Sequence, residues 1–394
     1  MRPFHIPAEA ITEAIEWRRF LHSIPETAYD EHRTSAFVAD LLTKFGLKVK
    51  SGYAGTGVVG TLTRGSSKRA IGLRADMDAL PILETADLPY RSTKPGKMHA
   101  CGHDGHMAML LGAASLATDL DLDGTVHFVF QPAEENEGGA QRMVHDGLFR
   151  DLPVDAVFGL HNWPQLALKE IVAEVGPMMA AFSIFDIVIQ GRGAHAAMPH
   201  QGVDPIVAGC AVVSALQSIL SRNVSPLDNA VLSVTQIHAG EAYNVIPEHA
   251  TIRGTGRWFS TEASSMLEAR LRKIAADVAS AHGCEAMVRY ERRYPVTVND
   301  AFATTRAQEA ARSAGLQVVH SGPSMGSEAF AFMSETVPGA YVWLGSARSG
   351  ENPGLHSSHF DFNDEAISYG IAYWLSLIRG PSFPRVFFPL ARLE

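Results

Sequence analysis

The sequence predicts an α/β protein of two domains, in which a mixed sheet flanked by helices is interrupted by a compact α+β insertion. Three observations lead to this prediction. A chain of 394 residues is longer than one ordinary hydrophobic core requires. Strand and helix patterns alternate in its first third, as they do in sheets that carry helices on both faces. The middle of the chain changes to the order β-α-β-β-α-β, which is typical of a ferredoxin-like unit.

The first third shows helical periodicity and β-rich runs in regular succession. In chain order, the predicted elements are helices 7–23 and 29–45, strands 58–65 and 69–76, helix 104–118, a strand running into a loop over 124–135, and strand 154–162. Ligands of such sheets collect at the strand ends. The acidic residues and histidines of this part of the chain fall there, so we expect a site at these ends.

The middle of the chain forms the predicted insertion, residues 180–294. Its elements are strand 181–192, helix 204–222, strands 229–240 and 248–259, helix 261–283 and strand 284–294. Thr261 is a plausible N-cap for the last helix, and Gly283 lies just past its end. The remaining domain then comprises 1–179 and 295–394.

Composition excludes several classes of protein. The charge balance of 33 − 42 = −9 argues against a general nucleic-acid or anionic-membrane surface. No uninterrupted apolar run reaches the ~18 residues of a membrane span. Acidic residues interrupt the start of the chain, where a signal peptide would be apolar. We therefore expect a cytoplasmic protein. The end, residues 381–394, has no clear periodicity and is interpreted as a disordered or cloning-derived tail.

The three cysteines, Cys101, Cys210 and Cys284, do not form a disulfide framework. Cys210 lies in an apolar run and is predicted to be a small buried residue. Cys101 differs, because the motif MHACGHDGH places it two residues before His103. A thiolate and an imidazole both suit a borderline-soft divalent metal. The alternative is a redox or structural cysteine beside solvent-facing histidines.

The motif QPAEEN contains the adjacent pair Glu134 and Glu135 after a buried strand. Neighbouring carboxylates repel each other unless a cation or a proton separates their roles. One of them can bind a metal ion while the other accepts a proton from water. The alternative is two exposed loop glutamates.

Three further motifs carry polar residues at strand ends or in loops. His161 ends the apolar strand of GLHNWP, where a buried structural histidine is the alternative. GLHSSHFDFND places His356 and His359 in a loop before the last helix, and LRADMDALP places Asp76 and Asp78 after a strand. Either aspartate could orient a metal ligand without binding the ion. None of these motifs decides the function alone, but together they indicate a metal site in one domain.

Eight motifs in one order resemble the hippurate hydrolase and auxin-conjugate (IAA-amino acid) hydrolase branch of the dinuclear amidohydrolase/carboxypeptidase family. They are ADMDALP, MHACGHD, QPAEE, GLH, GRGAHAAMPH, NVIP, MGSE and LHSSHFDFND. The resemblance implies a di-metal catalytic domain and an inserted ferredoxin-like lid that usually dimerises, so a homodimer or tetramer is expected. It also implies two divalent metal ions per chain, of zinc, manganese, cobalt or nickel.

The resemblance implies a role for each of five ligands. Cys101 matches the ligand that bridges the two ions. Glu135 and His356 match the remaining ligands of one ion, and His103 and His161 match those of the other.

The resemblance also implies residues that act on the substrate. Glu134 matches the general base. His195 resembles a lid histidine that reaches the neighbouring subunit's site and binds the developing oxyanion. Asn244 and Arg257 resemble residues that contact the substrate's carbonyl and carboxylate, with an exposed strand arginine as the alternative for Arg257. Asp76 stands where related branches have a histidine, so it is not assigned as a ligand.

Two positions depart from the family pattern near the expected substrate pocket. The family commonly has an acid where this chain has Ala329, and a proline where it has Ser358. The expected reaction is hydrolysis of the amide bond of a small N-acyl amino acid to a carboxylic acid and a free amino acid. Two other hydrolytic reactions at the same site are alternatives: cleavage of dipeptides, and removal of an aromatic amine as ammonia. An alternative from a different class is a metal-dependent binding or redox protein that uses Cys101 as a sensor thiol.

Overall fold

The structure is a computed structural model, and it describes residues 4–135 and 137–380. The interpretation of 381–394 as a tail lies outside the described residues. Contacts divide the chain into two compact units. The first unit contains Met1–Met178, Thr297–Gly322 and the chain from Ala329 onward, and the second contains Met179–Val296 and Pro323–Glu328.

The elements of the first stretch of chain are α1 (Ala8–Ser23), α2 (His32–Lys44), β1 (Lys48–Tyr53), β2 (Gly57–Arg64), β3 (Ala70–Asp76), α3 (His103–Ala117), β4 (Gly124–Gln131), α4 (Gly139–His145), α5 (Leu148–Asp151), β5 (Ala156–Trp163), β6 (Glu170–Val172) and β7 (Gly176–Met179). The second unit then contains β8 (Ala181–Gln190), β9 (Ala194–His195), a 3₁₀ helix (Pro199–Gln201), α6 (Pro205–Leu216), α7 (Ser218–Arg222), β10 (Ala230–Ala239), β11 (Val245–Ile246), β12 (His249–Trp258), α8 (Thr261–Ala281) and β13 (Glu285–Tyr294). The chain ends with β14 (Thr297–Asn299), α9 (Ala301–Ser313), β15 (Gln317–Val319), α10 (Ala331–Ser334), β16 (Gly339–Gly345) and α11 (Glu365–Arg379).

The first unit is built on an eight-stranded sheet in the order β1-β2-β4-β3-β5-β16-β6-β15. Its central neighbours β4, β3, β5 and β16 are parallel, whereas β1, β2 and β4 pair antiparallel. Strands β3 and β16 are buried along their whole length, because helices cover both faces. The predicted mixed sheet flanked by helices is confirmed. Since β3, β4 and β5 are parallel, their carboxyl ends meet at one edge of the sheet.

The second unit contains a four-stranded antiparallel sheet in the order β10-β12-β8-β13. Helices α6 and α8 pack against each other and against strands of this sheet. Strand β12 alternates between buried and more exposed residues, as expected for a sheet with one covered face. The order β-α-β-β-α-β matches the predicted order of elements, and β10 lies at an edge of the sheet.

Three details of the second unit differ from the sequence prediction. The predicted helix 204–222 is two helices that meet at Gln217. Cys210 is exposed, so the prediction that it is buried was wrong. The apolar run suggested burial, but α6 buries only the face that includes Ala208 and Val212. The N-cap of α8 is Ser260, whose hydroxyl accepts the Ala263 N–H, rather than Thr261.

The segment Pro205–Arg222 is long and apolar enough to pass a length-and-composition test for a membrane span. One such helix is weak grounds for a span, because a helix that packs in a soluble core passes the same test. Here α6 contributes residues to the core of its unit, beside β12 and α8.

Candidate metal centre

The strand ends of the first unit bring the predicted site residues together. Asp76 is the last residue of β3, Glu134 and Glu135 follow β4, and His161 lies near the end of β5. The motif MHACGHDGH forms the loop that leads into α3. Gly102 has a φ of 93°, and a Cβ at this position would lie 2.3 Å from an Asn162 side-chain oxygen. Glycine is therefore required for this loop to approach β5 closely.

Five predicted ligands form two groups that share one sulfur. In one group, ligand atoms of Cys101, His103 and His161 lie within 4.8 Å of one another. In the other group the same holds for Cys101, Glu135 and His356. The first group is buried, with 7%, 1% and 6% of Cys101, His103 and His161 exposed. The second group opens to solvent through His356, whose side chain is 52% exposed.

Backbone carbonyls fix the orientation of the two buried imidazoles. His161 Nδ1 donates to the carbonyl oxygen of Asn162 at 2.7 Å, which leaves Nε2 facing Cys101 Sγ at 3.4 Å. His103 Nδ1 donates to the carbonyl oxygen of Asp78 at 2.8 Å, and its Nε2 makes no hydrogen bond within the described residues. Burial lowers the pKa of His161 well below its usual value, which keeps the ring neutral. His161 thus presents an unprotonated Nε2, the form that binds metals. Burial lowers the pKa of His103, but Asp76 and Cys101 raise it well above its usual value, so a cation that binds there must displace the proton of its Nε2.

The donor set fits divalent cations. Burial raises the pKa of the Cys101 thiol well above its usual value, so a thiolate here needs a positive charge beside it. Glu135 Oε1 accepts no hydrogen bond within the described residues and lies 3.3 Å from His356 Nε2. A thiolate, imidazoles and a carboxylate together match borderline-soft ions such as Zn²⁺.

Glu134 lies beside the two ligand groups, and hydrogen bonds fix the backbone that carries it. Its own N–H and that of Glu135 donate to the two carboxylate oxygens of Asp78, at 2.8 and 2.9 Å. Its carboxylate Oε1 accepts the N–H of Ala329 at 3.2 Å. Glu134 is buried, and one of its carboxylate oxygens can lie within 4.8 Å of donor atoms of His103 and Glu135. The carboxylate is therefore next to the candidate ligands, and its backbone is fixed.

His106 is a residue of this region to which the sequence analysis gave no role. Its Nδ1 donates to Asp76 Oδ1 at 2.6 Å, and its Nε2 lies 2.7 Å from the side-chain oxygen and 3.0 Å from the backbone nitrogen of Asn162. The other oxygen of Asp76 accepts from Arg74 Nη1 at 2.8 Å. The i, i+3 spacing of His103 and His106 in one motif was a signal that both rings face the same region.

The chain matches the model of peptidase family M20/M25/M40 over residues 72–380. It belongs to this family. The hippurate hydrolase of Campylobacter jejuni is 40% identical over 367 residues, with 91% of this chain and 94% of that protein covered. An N-acetylcysteine deacetylase of Bacillus subtilis is 38% identical, covering 93% and 96%. The Arabidopsis thaliana protein named IAA-amino acid hydrolase ILR1-like 4 is 39% identical, covering 94% and 88%.

The fold is shared with a solved member of the family. The crystal structure of the Bacillus subtilis YXEP protein, described as a dinuclear metal binding peptidase from the M20 family, superimposes with a TM-score of 0.81. It is 35% identical in sequence, with 94% of this chain and 98% of that chain covered. The resemblance read from the motifs is thus confirmed.

Both departures of this M20 chain from the family pattern lie beside candidate site residues. Ala329 is fully buried and offers Glu134 a backbone N–H. Ser358 is tied to Thr85, whose N–H donates to the Ser358 carbonyl oxygen at 2.9 Å and whose hydroxyl lies 2.9 Å from the Ser358 hydroxyl. His356 has a φ of 65°. Hydrogen bonds to Thr85 thus restrain the loop where the family has proline.

The second unit of this M20 chain brings two of its motifs together. His195 in β9 pairs with Val245 in β11, and the Ala196 N–H donates to the Asn244 carbonyl oxygen at 3.0 Å. His195 and Asn244 are exposed. Arg257 is instead partly buried, and its Nη1 donates to the Met325 carbonyl oxygen at 2.8 Å and the Ser327 hydroxyl at 3.0 Å. Arg257 therefore anchors the segment that contains MGSE.

Proposed function

We propose that this chain hydrolyses the amide bond of N-acyl amino acids to a carboxylic acid and a free amino acid, using two divalent metal ions. The observation that carries the proposal is the pair of donor groups that share Cys101, with the separate carboxylate of Glu134 beside them. A metal-dependent sensor thiol needs no such base. The names of three relatives, a hippurate hydrolase, an N-acetylcysteine deacetylase and an IAA-amino acid hydrolase, support the substrate class.

The proposed ligand roles follow the two groups. Cys101 would hold both ions, because its sulfur belongs to both donor groups. Glu135 and His356 would hold one ion with it, and His103 and His161 would hold the other. The buried group contains two imidazoles and the cysteine sulfur, which favours zinc, cobalt or nickel, while the carboxylate in the more exposed group also suits manganese.

The mechanism assigns proton transfer to Glu134. Divalent ions in such sites supply Lewis acidity, which polarises a carbonyl and lowers the pKa of water. Glu134 accepts the proton of the attacking water and delivers it to the leaving nitrogen as the amide bond breaks. The Ala329 N–H donates to the Glu134 carboxylate, and the Glu134 N–H donates to Asp78. These two hydrogen bonds keep the carboxylate oriented for both proton transfers.

Residues of the second unit complete the proposal. His195 donates a hydrogen bond to the oxyanion that forms at the substrate carbonyl, acting on the site of a neighbouring subunit. Asn244 contacts the substrate carbonyl, and Arg257 contributes to recognition of the substrate carboxylate. The exposed positions of His195 in β9 and of Asn244, just before β11, support a role outside their own unit's core.

A homodimer through the second unit is part of the proposal. Strand β10 lies at an open edge of its sheet and exposes Ile237, and the neighbouring helix α6 exposes Ile206, Val207 and Cys210. An edge strand beside an apolar helix face is suited to pairing with a second copy of itself. We also propose a cytoplasmic location, in keeping with three free cysteines.

The proposal is tested with a panel of N-acetyl, N-benzoyl and indole-acyl amino acids, dipeptides and aromatic amines, each assayed with Zn²⁺, Mn²⁺, Co²⁺ or Ni²⁺ and with a chelator. Hydrolysis of acyl amino acids that the chelator abolishes supports it. Hydrolysis restricted to dipeptides or aromatic amines moves the assignment to those reactions, and hydrolysis that survives complete metal removal contradicts the metal requirement.

Glu134→Gln separates the base from the ligands. The amide cannot accept a proton, so turnover is expected to fall by at least ~10²–10⁴-fold while both metals stay bound. Near-normal turnover in the metal-replete variant would remove Glu134 from the mechanism.

A further inference from the structure

Glu31 lies at the start of α2, but its side chain serves a different segment. It occupies the N-cap position of the helix and makes no capping hydrogen bond there. The N–H groups of Arg33 and Thr34 instead donate to Glu26 Oε2, both at 2.9 Å. Capping of α2 therefore does not explain why a carboxylate is present at position 31.

The Glu31 carboxylate binds the residue that precedes the Glu134–Glu135 pair. Its Oε1 accepts the Ala133 N–H at 2.8 Å, and its Oε2 accepts the Thr56 hydroxyl at 2.7 Å. Glu31 is fully buried, and burial raises its pKa to about 7. No cation pairs with it within the described part of the chain. A buried carboxylate without a counter-ion is unfavourable unless hydrogen bonds satisfy it, so the bonds from Ala133 and Thr56 are what keep Glu31 buried.

Ala133 has the backbone conformation that needs such a restraint. Its φ is 52°, in the left-handed region that residues with a Cβ rarely occupy. Its carbonyl oxygen accepts the Gly139 N–H at 2.9 Å. The strained residue is thus fixed on both its N–H and its carbonyl side, immediately before Glu134.

Three consecutive N–H groups are bound by buried carboxylates. Ala133 donates to Glu31, while Glu134 and Glu135 donate to Asp78. Release of the first of these bonds would let Ala133 relax toward negative φ. Because the chain direction after Ala133 depends on that angle, relaxation would turn the Glu134 side chain away from the ligands.

We propose that Glu31 is a positioning residue, which holds Ala133 in its left-handed conformation and thereby aims the Glu134 carboxylate at the reacting water. This inference rests on the proposed function, in which Glu134 is the general base. Glu31 touches neither substrate nor metal ion and acts only through the backbone of residue 133.

Glu31→Ala removes the acceptor for the Ala133 N–H. Misplacement of a catalytic group by about 1 Å costs up to ~100-fold, so we expect kcat to fall by ~10- to ~100-fold with KM within about threefold of its normal value. Glu31→Gln keeps an oxygen for the Ala133 N–H and is expected to retain most of kcat. Glu26→Ala is the matched control, because it removes a carboxylate that binds two backbone N–H groups at the same helix. It is expected to lower stability without changing kcat per folded chain.

A second-site change provides the decisive readout. Glycine adopts a φ near 52° without strain, so Ala133→Gly in the Glu31→Ala background is expected to restore part of the lost kcat. A merely structural role for Glu31 predicts no such rescue. Amide hydrogen exchange adds a measurement independent of turnover, since Glu31→Ala should accelerate exchange at Ala133 and Gly139 and Glu26→Ala should not.

The outcomes separate this inference from the proposed function. Inactive Glu134→Gln together with unchanged kcat in Glu31→Ala overturns the positioning role alone. Equal loss of kcat in the Glu26→Ala control, or absence of rescue by Ala133→Gly, also overturns it. If Glu134→Gln is active, Glu134 is not the general base. The proposed function then fails at this point, and Glu31 has no catalytic side chain to position. If Glu31→Ala does not fold, the Glu31→Gln variant decides through its kcat and its amide hydrogen exchange at Ala133. Faster exchange at Ala133 in Glu31→Gln contradicts the hydrogen bond that this variant is expected to retain.

Discussion

Replacement of Asp76 by asparagine tests whether the buried hydrogen-bonded residues Arg74, Asp76 and His106, beside the candidate ligands, stabilise the fold. Asp76 has no exposed surface and joins Arg74 to His106 through hydrogen bonds of 2.8 and 2.6 Å. Burial by itself raises the pKa of Asp76, but His103, Arg74 and His106 together hold it well below its usual value. The side chain is therefore an anion, and asparagine would replace the carboxylate that accepts from Arg74 Nη1 with a neutral amide.

The expected loss of stability is large because the pair is buried. Removal of one partner of a buried ion pair typically costs ~3–5 kcal/mol. The lower end applies here, since Arg74 Nε also donates to Gln131 at 2.7 Å. The matched control is Asp186→Asn, which breaks the 2.6 Å contact with Arg253, where the two side chains are 30% and 53% exposed. That exposed pair is expected to contribute ~0–1 kcal/mol.

The assay is urea denaturation of the metal-free variants at pH 7, followed by titration with zinc. Asp76→Asn should lower the free energy of unfolding by about 3 kcal/mol and weaken zinc binding by ~10–100-fold, as expected for loss of a residue that orients ligands. A loss of stability no larger than that of Asp186→Asn would refute the structural role. Complete loss of one metal site with unchanged stability would make Asp76 a ligand.

Three other predictions address the bridge, the second unit and a buried histidine. Cys101→Ala should lower metal content as well as activity, because the sulfur is shared by both donor groups; elemental analysis showing two metals per alanine chain would rule out bridging. His195→Ala should be metallated but lose ~10²–10³-fold in turnover, and mixing it with Glu134→Gln under subunit exchange should restore part of the activity. Demonstrated exchange without recovery would place His195 outside the neighbouring site. His127 is buried beside the Thr61 hydroxyl at 2.9 Å, and burial lowers its pKa from 6.5 to about 4. The unfolded chain therefore binds a proton more readily between these values, so stability should fall by up to ~3 kcal/mol as the pH drops from 6.5 to 4. His127→Asn should flatten this slope, and an unchanged slope would contradict the assignment.

The fold was largely predictable because its signals are local. The parallel core strands are largely apolar runs. The outer boundaries of the predicted helices agree to within a few residues, although the predicted helix 204–222 is two helices. Cys210 was predicted wrongly for a related reason. An apolar run reports that a helix packs somewhere, but not which of its faces is covered, and α6 covers only one face.

The ligand candidates were visible in the sequence because each lies in a short motif, either after a strand or in the loop before a helix. The orienting residues were not visible, since their partners are distant in sequence. Glu31 binds residue 133, and His106 binds residues 76 and 162. No spacing rule connects such positions. They follow from the order of the strands, which places the ends of β3, β4 and β5 side by side.

The central claim is that two divalent ions share the sulfur of Cys101, and anomalous diffraction from crystals of the metal-loaded protein tests it most directly. We expect two peaks per chain, each about 2.3 Å from Cys101 Sγ if zinc is bound. One peak should adjoin His103 and His161, and the other should adjoin Glu135 and His356. A single peak, or a peak that does not include Cys101 among its ligands, would contradict the account.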